Sequence, residues 1–454
     1  NNDGFMDNPL YTQYNLFNRW KYSDEHYEAQ FGIHYIDENR ISGQMDFDID
    51  EKRSADKPYG INIHNKRLQA FAKNGIIFHR PATSMALINS FTLQDQNSFF
   101  GLRDYTARQN SSYNNLIFQS YLGNTKHSYT TGLTYIYNNY DEMITDSSFS
   151  MKESVPGVYF QYTYSMPDKL TVITGIRADF HNEFGAFFTP RMHVRYTLNP
   201  NTIIRVAAGK GYRTPNVIAE NISFLASSRD IKPLEKLQQE EAWNYGMHLT
   251  QYVNLLGKQM TISADFYRTN FVNQVIFDID SDVSQIRLYN LDGKSYSNSA
   301  QLEINYELLK RLDMVAAFRL TDVKTTYEGD LLRKPLISKY KGLVTLSYAT
   351  YRNLWQFDFT SQFNGGGRLP KTIGNPPEYQ LEETFPAYTI LNAQITRYLK
   401  KWSIYLGGEN LLGYRQRHPI VAANDPFGDY FDASMVWGPI MGAKIHIGLR
   451  FAIE

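Results

Sequence analysis

The sequence of 454 residues lacks cysteine, lacks any run of eighteen apolar residues, and lacks an excess of either charge, with 46 lysines and arginines against 46 aspartates and glutamates. Without cysteine the chain forms no disulfide and no thiolate metal site. Without an apolar run it forms no transmembrane helix. Without a basic excess it has no global field for nucleic acid, so we expect no nucleic-acid partner.

Aromatic residues, by contrast, make up 15% of the chain. Apolar and polar side chains alternate along many segments, a period of two that predicts β-strands whose two faces meet different surroundings. The mean hydropathy of −0.45 is compatible with a membrane barrel, because such a barrel shows lipid only every second residue. In the clearest segment we predict that Ile445, Ile447, Leu449 and Phe451 face outward and that His446, Gly448 and Arg450 face inward.

The connections between the predicted strands alternate between short and long. Short turns at one rim and long loops at the other are typical of outer-membrane β-barrels, whose short turns are periplasmic. We therefore predict one all-β domain over residues 1–454, a transmembrane antiparallel barrel. The short turns fall near 122–126, 166–169, 198–201, 254–258, 310–311, 351–353 and 400–401, and the long loops near 40–58, 213–238, 273–294, 326–337, 366–384 and 414–438.

The alternating segments number about nineteen, the first near residues 10–23 and the last near 445–453. The last strand is expected to run toward the short turns, and counting back gives the first strand the same direction, so the number is odd. Single-chain bacterial barrels have even strand numbers. We therefore expect further strands of the same barrel before residue 1.

Three motifs connect the chain to a known family. The first motif is Gly-Tyr-Arg-Thr-Pro-Asn at 211–216, followed by Leu234 and by Glu-Ala-Trp-Asn-Tyr-Gly at 241–246. The second is Phe-Pro-Ala-Tyr at 385–388, which continues to Ala393. The third is Gly-Glu-Asn-Leu-Leu at 408–412, which precedes the last strand with Phe451. In this order and spacing, the chain resembles the C-terminal barrel portion of TonB-dependent outer-membrane receptors over nearly its whole length.

The resemblance implies a barrel of about 22 strands, of which this chain would supply about nineteen. A plug domain and a TonB box would lie upstream, so coupling to the TonB complex is assigned to no residue of this chain. The implied function is the import of a scarce, bulky nutrient, an iron–siderophore or cobalamin, across the bacterial outer membrane and in contact with its lipid. The resemblance leaves a surface lipoprotein partner open.

A passive porin-like channel is the alternative, since it shares this architecture without energy coupling. A barrel enzyme and a soluble β-protein are weaker rivals. The sequence has no Gly-x-Ser-x-Gly motif, no phosphate loop and no grouping of Ser, His and Asp at strand ends, so we predict that the protein is not an enzyme.

Two long loops carry candidate ligand contacts, because functional residues concentrate on loops that a rigid scaffold holds. Aromatic groups beside hydrogen-bonding groups in the last loop would suit a bulky, partly flat ligand. The alternatives are loop packing for the first loop and, for Tyr430, Phe431 and Trp437, the outer aromatic girdle. The candidates are Arg213, Asn216, Glu220, Asn221 and Arg229 in the first loop, and Arg415, Arg417, Asp425, Tyr430 and Phe431 in the last.

Acidic residues at a spacing of two suggest calcium, because hard oxygen ligands suit that ion. Asp46, Asp48 and Asp50 form one such group, and residues 278–282 form a second; residues 1–7 look like the end of a calcium-type loop. None matches a complete EF-hand loop, and solvated acidic loops are the alternative. We expect no cofactor apart from this candidate calcium.

Charged residues also fall on the face predicted to line the lumen. A charge removed from water has to be paired, so we interpret these residues as structural anchors. They are Arg177, Asp179, Arg191, Arg205, Asp265, Glu303 and Arg450.

Overall fold

The computed structural model describes residues 3–145 and 147–452. Residues 1 and 2 of the predicted calcium-type segment, and Ile453 of the predicted last strand, lie outside the described residues. Within them, the chain is almost entirely β-strand. None of the described helices is long and apolar enough to cross a membrane.

The described residues form 26 strands. In chain order these are β1 (Leu10–Ser23), β2 (Tyr27–Gly43), β3 (Gly60–Ile77), β4 (Ser84–Phe100), β5 (Arg103–Tyr121), β6 (His127–Ile144), β7 (Ser147–Met166), β8 (Leu170–His181), β9 (Gly185–Phe188), β10 (Arg191–Asn199), β11 (Thr202–Arg213), β12 (Asp230–Pro233), β13 (Glu240–Leu255), β14 (Lys258–Asn273), β15 (Val275–Asp278), β16 (Gln285–Asn290), β17 (Ser295–Leu309), β18 (Leu312–Tyr327), β19 (Asp330–Arg333), β20 (Tyr340–Ala349), β21 (Trp355–Asn364), β22 (Gly367–Arg368), β23 (Thr384–Phe385), β24 (Tyr388–Tyr398), β25 (Trp402–Glu409) and β26 (Lys444–Phe451). The helical segments are one α-helix, α1 (Val217–Glu220), and the 3₁₀ turns Ile222–Leu225, Tyr351–Asn353 and Pro377–Tyr379.

One antiparallel sheet contains 21 of these strands, with β1 and β26 at its ends. β9 and β19 are four-residue strands that pair with the ends of β8 and β18. The other nineteen, here called the wall strands, have eight residues or more. Each wall strand pairs with the next wall strand along the chain. The predicted fold class, an all-β antiparallel barrel sheet of about nineteen strands, is therefore confirmed.

The two faces of the wall differ as the alternation predicts. Ile445 and Ile447 of β26 are each 78% exposed, and large apolar side chains at alternate positions of β25, such as Ile404 and Leu406, are 42% and 51% exposed. On the opposite face, Lys444 and His446 line a polar cavity together with Asp358, Thr360 and Gln362. The apolar face suits lipid and the polar face suits a hydrated lumen.

Tight turns join the wall strands at one rim. Between β13 and β14, Leu256 and Gly257 both have positive φ, +50° and +79°. Positive φ at both central residues gives a two-residue hairpin the twist of its strands, and glycine adopts it without steric cost. The short connections are therefore set by local geometry.

The long connections contain structure that the sequence did not predict. β12 pairs in parallel with β16, and β16 pairs antiparallel with β15, so that two predicted loops share a three-stranded sheet. β22 and β23 form a further two-stranded sheet. Strands of two to six residues are too short to show a period, and the parallel pair joins segments about fifty residues apart, so sequence pattern alone could not reveal them.

We predict that replacing Ile447 by arginine destabilises the barrel, by about 2–4 kcal/mol near the bilayer midplane, because the charge then faces lipid. The measurement is urea unfolding in lipid vesicles, followed by heat-modifiable gel mobility. The matched control is His446→Arg on the same strand, whose side chain lines the polar cavity. Equal losses in the two variants would contradict the assignment of faces.

Candidate ligand-binding mouth

At the rim opposite the tight turns, the long loops pack on one another. We call five of them the mouth loops: 44–59, 214–239, 274–294, 365–387 and 410–443. Their apolar side chains form three buried clusters, two of which include residues at the upper ends of wall strands. Burial of this kind stabilises a defined loop arrangement, at about 1.5–3 kcal/mol for each large apolar side chain fully buried.

The first cluster holds loop 214–239 against strands that are distant in the sheet from β11 and β13, the two strands that the loop connects. Ile218 and Leu225 pack with Phe100 at the end of β4 and Tyr105 at the start of β5. The loop itself begins after β11, and four wall strands, β6, β7, β8 and β10, separate β5 from β11. Arg103 strengthens the contact by donating Nη1 to the Ser227 carbonyl at 3.2 Å. Loop 214–239 therefore reaches across part of the mouth.

The second cluster lies on the small three-stranded sheet. Ile286 and Leu288 of β16 are fully buried, and Met435 of loop 410–443 covers them. Ile231 of loop 214–239 and Leu381 of loop 365–387 pack against this cluster, so four mouth loops share one apolar core.

The third cluster contains Phe431, one of the predicted ligand contacts. Its ring lies 4.8 Å from that of Tyr59 and 6.0 Å from that of Phe5, and only 2% of the residue is exposed. Burial raises the pKa of the Tyr59 hydroxyl. Phe431 therefore belongs neither to an outer aromatic girdle nor to an accessible ligand surface in this structure; it packs the loops together.

Arg229, also predicted as a ligand contact, is 3% exposed and joins three mouth loops. Its Nε donates to Asp432 Oδ2 at 3.1 Å, and its Nη1 donates to the carbonyls of Ile279 and Asp282 at 3.0 and 3.2 Å. Asp432 Oδ1 accepts from the amide and hydroxyl of Ser434. The Arg229 guanidinium is thus buried and hydrogen-bonded to loop residues, so it is not accessible to a ligand in this arrangement.

The acidic segment 278–282 is built into the same core. Asp280 accepts both Nη groups of Arg368 at 2.7 Å, and Asp278 accepts from the Tyr289 hydroxyl at 2.9 Å. The Ser284 amide holds the pKa of Asp282 below its ordinary value, and Arg287 adds to this from 3.0 Å. The interpretation as a solvated acidic loop does not describe Asp278 and Asp280, because both are buried and accept hydrogen bonds from protein donors. Calcium binding at this segment stays a prediction.

The other acidic group behaves differently. Asp46, Asp48 and Asp50 are exposed, and Asp48 Oδ1 accepts the amide of Asp50 at 2.9 Å. Among residues 3–145 and 147–452, no three or more His, Asp or Glu side chains converge so as to hold a metal ion. Calcium binding here stays a prediction.

Four predicted contacts of the first loop lie close together at the top of β11. Arg213 donates Nε to Glu240 at 2.9 Å and Nη1 lies 2.8 Å from Glu220. Asn216 caps α1 by accepting from Ala219, and Asn221 donates to the Val217 carbonyl. Arg213, Glu220 and Asn221 also line a cavity of about 150 Å³ with Glu240, Gln274 and Tyr327.

Four predicted contacts of the last loop, Arg415, Arg417, Asp425 and Tyr430, are exposed. Tyr430 lies 5.7 Å from the ring of Tyr379 in loop 365–387. In the described part of the chain, no side-chain hydrogen bond or ion pair joins these four to Arg213, Glu220 or Asn221. The structure therefore presents two separate groups, one in a small cavity and one on the outer surface.

Sequence reasoning missed two residues that hold the last loop. Asn410 has φ +47°, and its Nδ2 donates to the carbonyls of Tyr414 at 2.8 Å and Met441 at 2.9 Å, which closes the neck of loop 410–443. The buried Gln416 accepts the amide of Trp437 at 2.8 Å. Asparagine tolerates positive φ better than most residues, so the asparagine within the motif at 408–412 was the sequence feature that could have indicated the role of Asn410.

The predicted lumen charges are largely satisfied by neighbouring side chains. Asp179, 1% exposed, receives Nε and Nη2 of Arg177, each at 2.6 Å, which confirms the pairing expected of these two. Asp265 lies against His248 Nδ1 at 2.5 Å. The remaining polar contacts are Arg191 to Gln161, Arg205 to Thr250 and Asn305 to Glu303, and Arg450 lines a lumen cavity.

These features define an outer-membrane β-barrel whose mouth is covered by packed external loops. A family model described as "TonB dependent receptor-like, beta-barrel" matches residues 1–411. The chain therefore belongs to the TonB-dependent receptor β-barrel family and resides in the bacterial outer membrane. The family consists of receptors and transporters rather than enzymes.

Solved structures agree in fold. The ferric enterobactin receptor PfeA of Pseudomonas aeruginosa superposes with a TM-score of 0.68 at 12% identity, covering 98% of this chain and 78% of that one. FpvA of P. aeruginosa, bound to a pyoverdine–iron complex, gives 0.69 at 12%, with 98% and 65% covered. The copper transporter OprC gives 0.72 at 10%, with 98% and 72% covered. No curated protein matches the sequence. The chain thus spans 65–78% of the length of these three structures.

Replacing Arg229 by alanine is expected to loosen the mouth, because removing one partner of a buried ion pair costs about 3–5 kcal/mol. Hydrogen exchange should accelerate at residues 279–288 and 431–435 while the wall strands stay protected. Arg417→Ala is the matched control, since Arg417 is exposed and has no ion pair within the described residues. Unchanged exchange in the Arg229 variant would show that the three loops are held by their apolar core alone.

Proposed function

We propose that this protein forms the barrel of a TonB-coupled importer for a metal chelate of the iron–siderophore type. The observation that carries the proposal is the path of loop 214–239 across the mouth. Its contact with β4 and β5 depends on buried apolar side chains and on Arg103. A mouth crossed by a packed loop suits a receptor that binds its cargo before admitting it.

The chemistry of the loops supports a bulky, partly anionic cargo. Arg415 and Arg417 offer cations and Tyr430 an aromatic ring at the outer surface, and all three are exposed. Guanidinium groups bind carboxylates and other oxyanions through paired hydrogen bonds. PfeA is named for ferric enterobactin and FpvA holds a pyoverdine with iron, which favours iron chelates over the cobalamin alternative.

Energy coupling is the second part of the proposal. Family membership supports coupling to TonB, whereas a passive porin-like channel would need a permanently open mouth. The mouth loops share three apolar clusters, so separating the loops costs free energy. A passive channel has no step that would supply this free energy. A surface lipoprotein partner stays a prediction.

We predict that uptake of iron chelates requires both loop 214–239 and TonB. Cells that express the full-length protein as their only such receptor would be given a panel of ⁵⁵Fe–siderophores and, separately, labelled cobalamin. Replacing residues 217–227 by a Gly-Ser linker of equal length should abolish uptake, because the cluster with Phe100 and Tyr105 is lost. Deleting TonB should abolish it as well.

The matched control replaces residues 55–57, an exposed stretch of loop 44–59 outside the predicted calcium group, by a Gly-Ser linker of the same length. This variant should retain uptake, and heat-modifiable mobility should show a folded barrel in every case. Uptake that persists without TonB would identify a passive channel. Uptake of cobalamin and of none of the iron chelates would overturn the proposed cargo while leaving the coupled importer intact.

A further inference from the structure

Positive charge is unevenly distributed around the short-turn rim. Three turns that are neighbours in the sheet, β17–β18, β20–β21 and β24–β25, lie side by side. The six other short turns of the rim, from 24–26 to 256–257, hold three lysines and arginines in all, whereas these three turns hold five. Together with Arg397 at the end of β24, the five are here called the cationic turn patch: Lys310, Arg311, Arg352, Arg397, Lys400 and Lys401.

Within residues 3–145 and 147–452, ion pairs do not neutralise the guanidinium groups of this patch. In the described part of the chain, none of the six side chains forms an ion pair or a side-chain hydrogen bond. The adjacent acids, Glu307 and Asp313, face each other across β17 and β18 at positions whose alternation points to the lumen. Glu307 is further engaged by the amide of Arg311 and by Lys258 at 3.4 Å. The three guanidinium groups, those of Arg311, Arg352 and Arg397, are therefore available to an external anion.

Aromatic rings orient the guanidinium groups. Arg311 and Arg352 both lie over the ring of Tyr351, at 5.0 and 5.3 Å, and Arg397 lies over the ring of Trp355 at 4.8 Å. A cation over a ring is attracted by the ring's quadrupole, but two guanidinium groups on one ring also repel each other. An oxyanion between them would relieve that repulsion and receive hydrogen bonds from both.

The patch continues directly into the lipid-facing surface. Arg397 pairs in register with Trp355 on one side and Ile404 on the other. Phe357, Ile395 and Ile404, which follow on the same face, are 41–42% exposed. A charge on this face is tolerated near the membrane interface, not at the bilayer centre. The surface thus offers cations at headgroup level and an apolar track beside them.

We propose that the cationic turn patch binds an anionic phospholipid of the periplasmic leaflet. The phosphate lies among Arg311, Arg352 and Arg397, and the acyl chains lie along Phe357, Ile395 and Ile404. A soluble periplasmic polyanion would need the lysines of the turns but neither Arg397 on the lipid-facing side nor the apolar track. The position of Arg397 therefore favours a lipid.

The test measures lipid retention by the full-length protein in detergent and in nanodiscs that contain phosphatidylglycerol and phosphatidylethanolamine. Native mass spectrometry counts the lipids that stay bound. The patch variant carries Arg311→Gln, Arg352→Gln and Arg397→Gln. The matched control carries Arg80→Gln, Lys126→Gln and Lys169→Gln, which removes the same charge from other turns of the rim, including two cations that lie over Tyr121 and Tyr196.

The native protein should retain phosphatidylglycerol in preference to phosphatidylethanolamine. The patch variant should bind it at least tenfold more weakly, since one cation near an anionic surface is worth on the order of fivefold in affinity. The control should behave like the native protein, and a variant with lysine at positions 311, 352 and 397 should recover most of the binding. Heat-modifiable mobility confirms that each variant is folded.

Equal loss in the patch variant and the control, or retention without preference for the anionic lipid, would overturn the proposal. So would loss of binding to soluble peptidoglycan fragments with lipid retention unchanged, because the partner would then be a periplasmic polyanion. None of these outcomes bears on the proposed import function, which depends on the opposite rim.

Discussion

Hydrogen bonding between neighbouring wall strands is the constraint on which the rest of this molecule depends. A bilayer offers no water to unpaired backbone groups, so a chain that crosses it with strands must pair each one with its neighbours. That pairing fixes a side-chain period of two and gives one lipid-facing and one lumen-facing surface. It also sends successive strands in opposite directions, which puts the five mouth loops at the rim opposite the nine short turns.

The two rims are stabilised by different interactions. At the tight-turn rim the backbone itself provides the geometry, as at Leu256 and Gly257, and side chains are left free to meet the membrane interface. At the other rim the loops build a small globular core with its own sheet and its own buried ion pair between Arg229 and Asp432. Rigidity at the mouth thus comes from side-chain packing, whereas rigidity of the wall comes from backbone pairing.

This difference explains what sequence could and could not predict. The wall was predictable because a period of two repeats over eight or more residues, as in β26, and because short turns recur at regular intervals. The mouth was not, because its contacts join residues far apart in the chain. Arg229 and Asp432 are 203 residues apart, and Arg368 and Asp280 are 88 apart.

The same cause accounts for the contacts that sequence pattern did not reveal at individual residues. Phe431 and Arg229 looked like ligand contacts because an aromatic ring and a guanidinium in a loop have the right chemistry for one. Their burial depends on other loops, which no local pattern reveals. Residues 278–282 looked like a solvated segment for the same reason. Arg213, Glu220 and Asn221 do come together, since they lie within one loop and its flanking strand.

The neck of the last loop has an evolutionary consequence. Asn410 joins the two ends of loop 410–443 through the carbonyls of Tyr414 and Met441, just above β25 and β26. Whatever lies between those ends is held at fixed attachment points, so insertions, deletions or an exchanged loop leave the register of the two strands unchanged. The external surface is therefore free to diversify toward new cargo, while the wall beneath it keeps the same architecture.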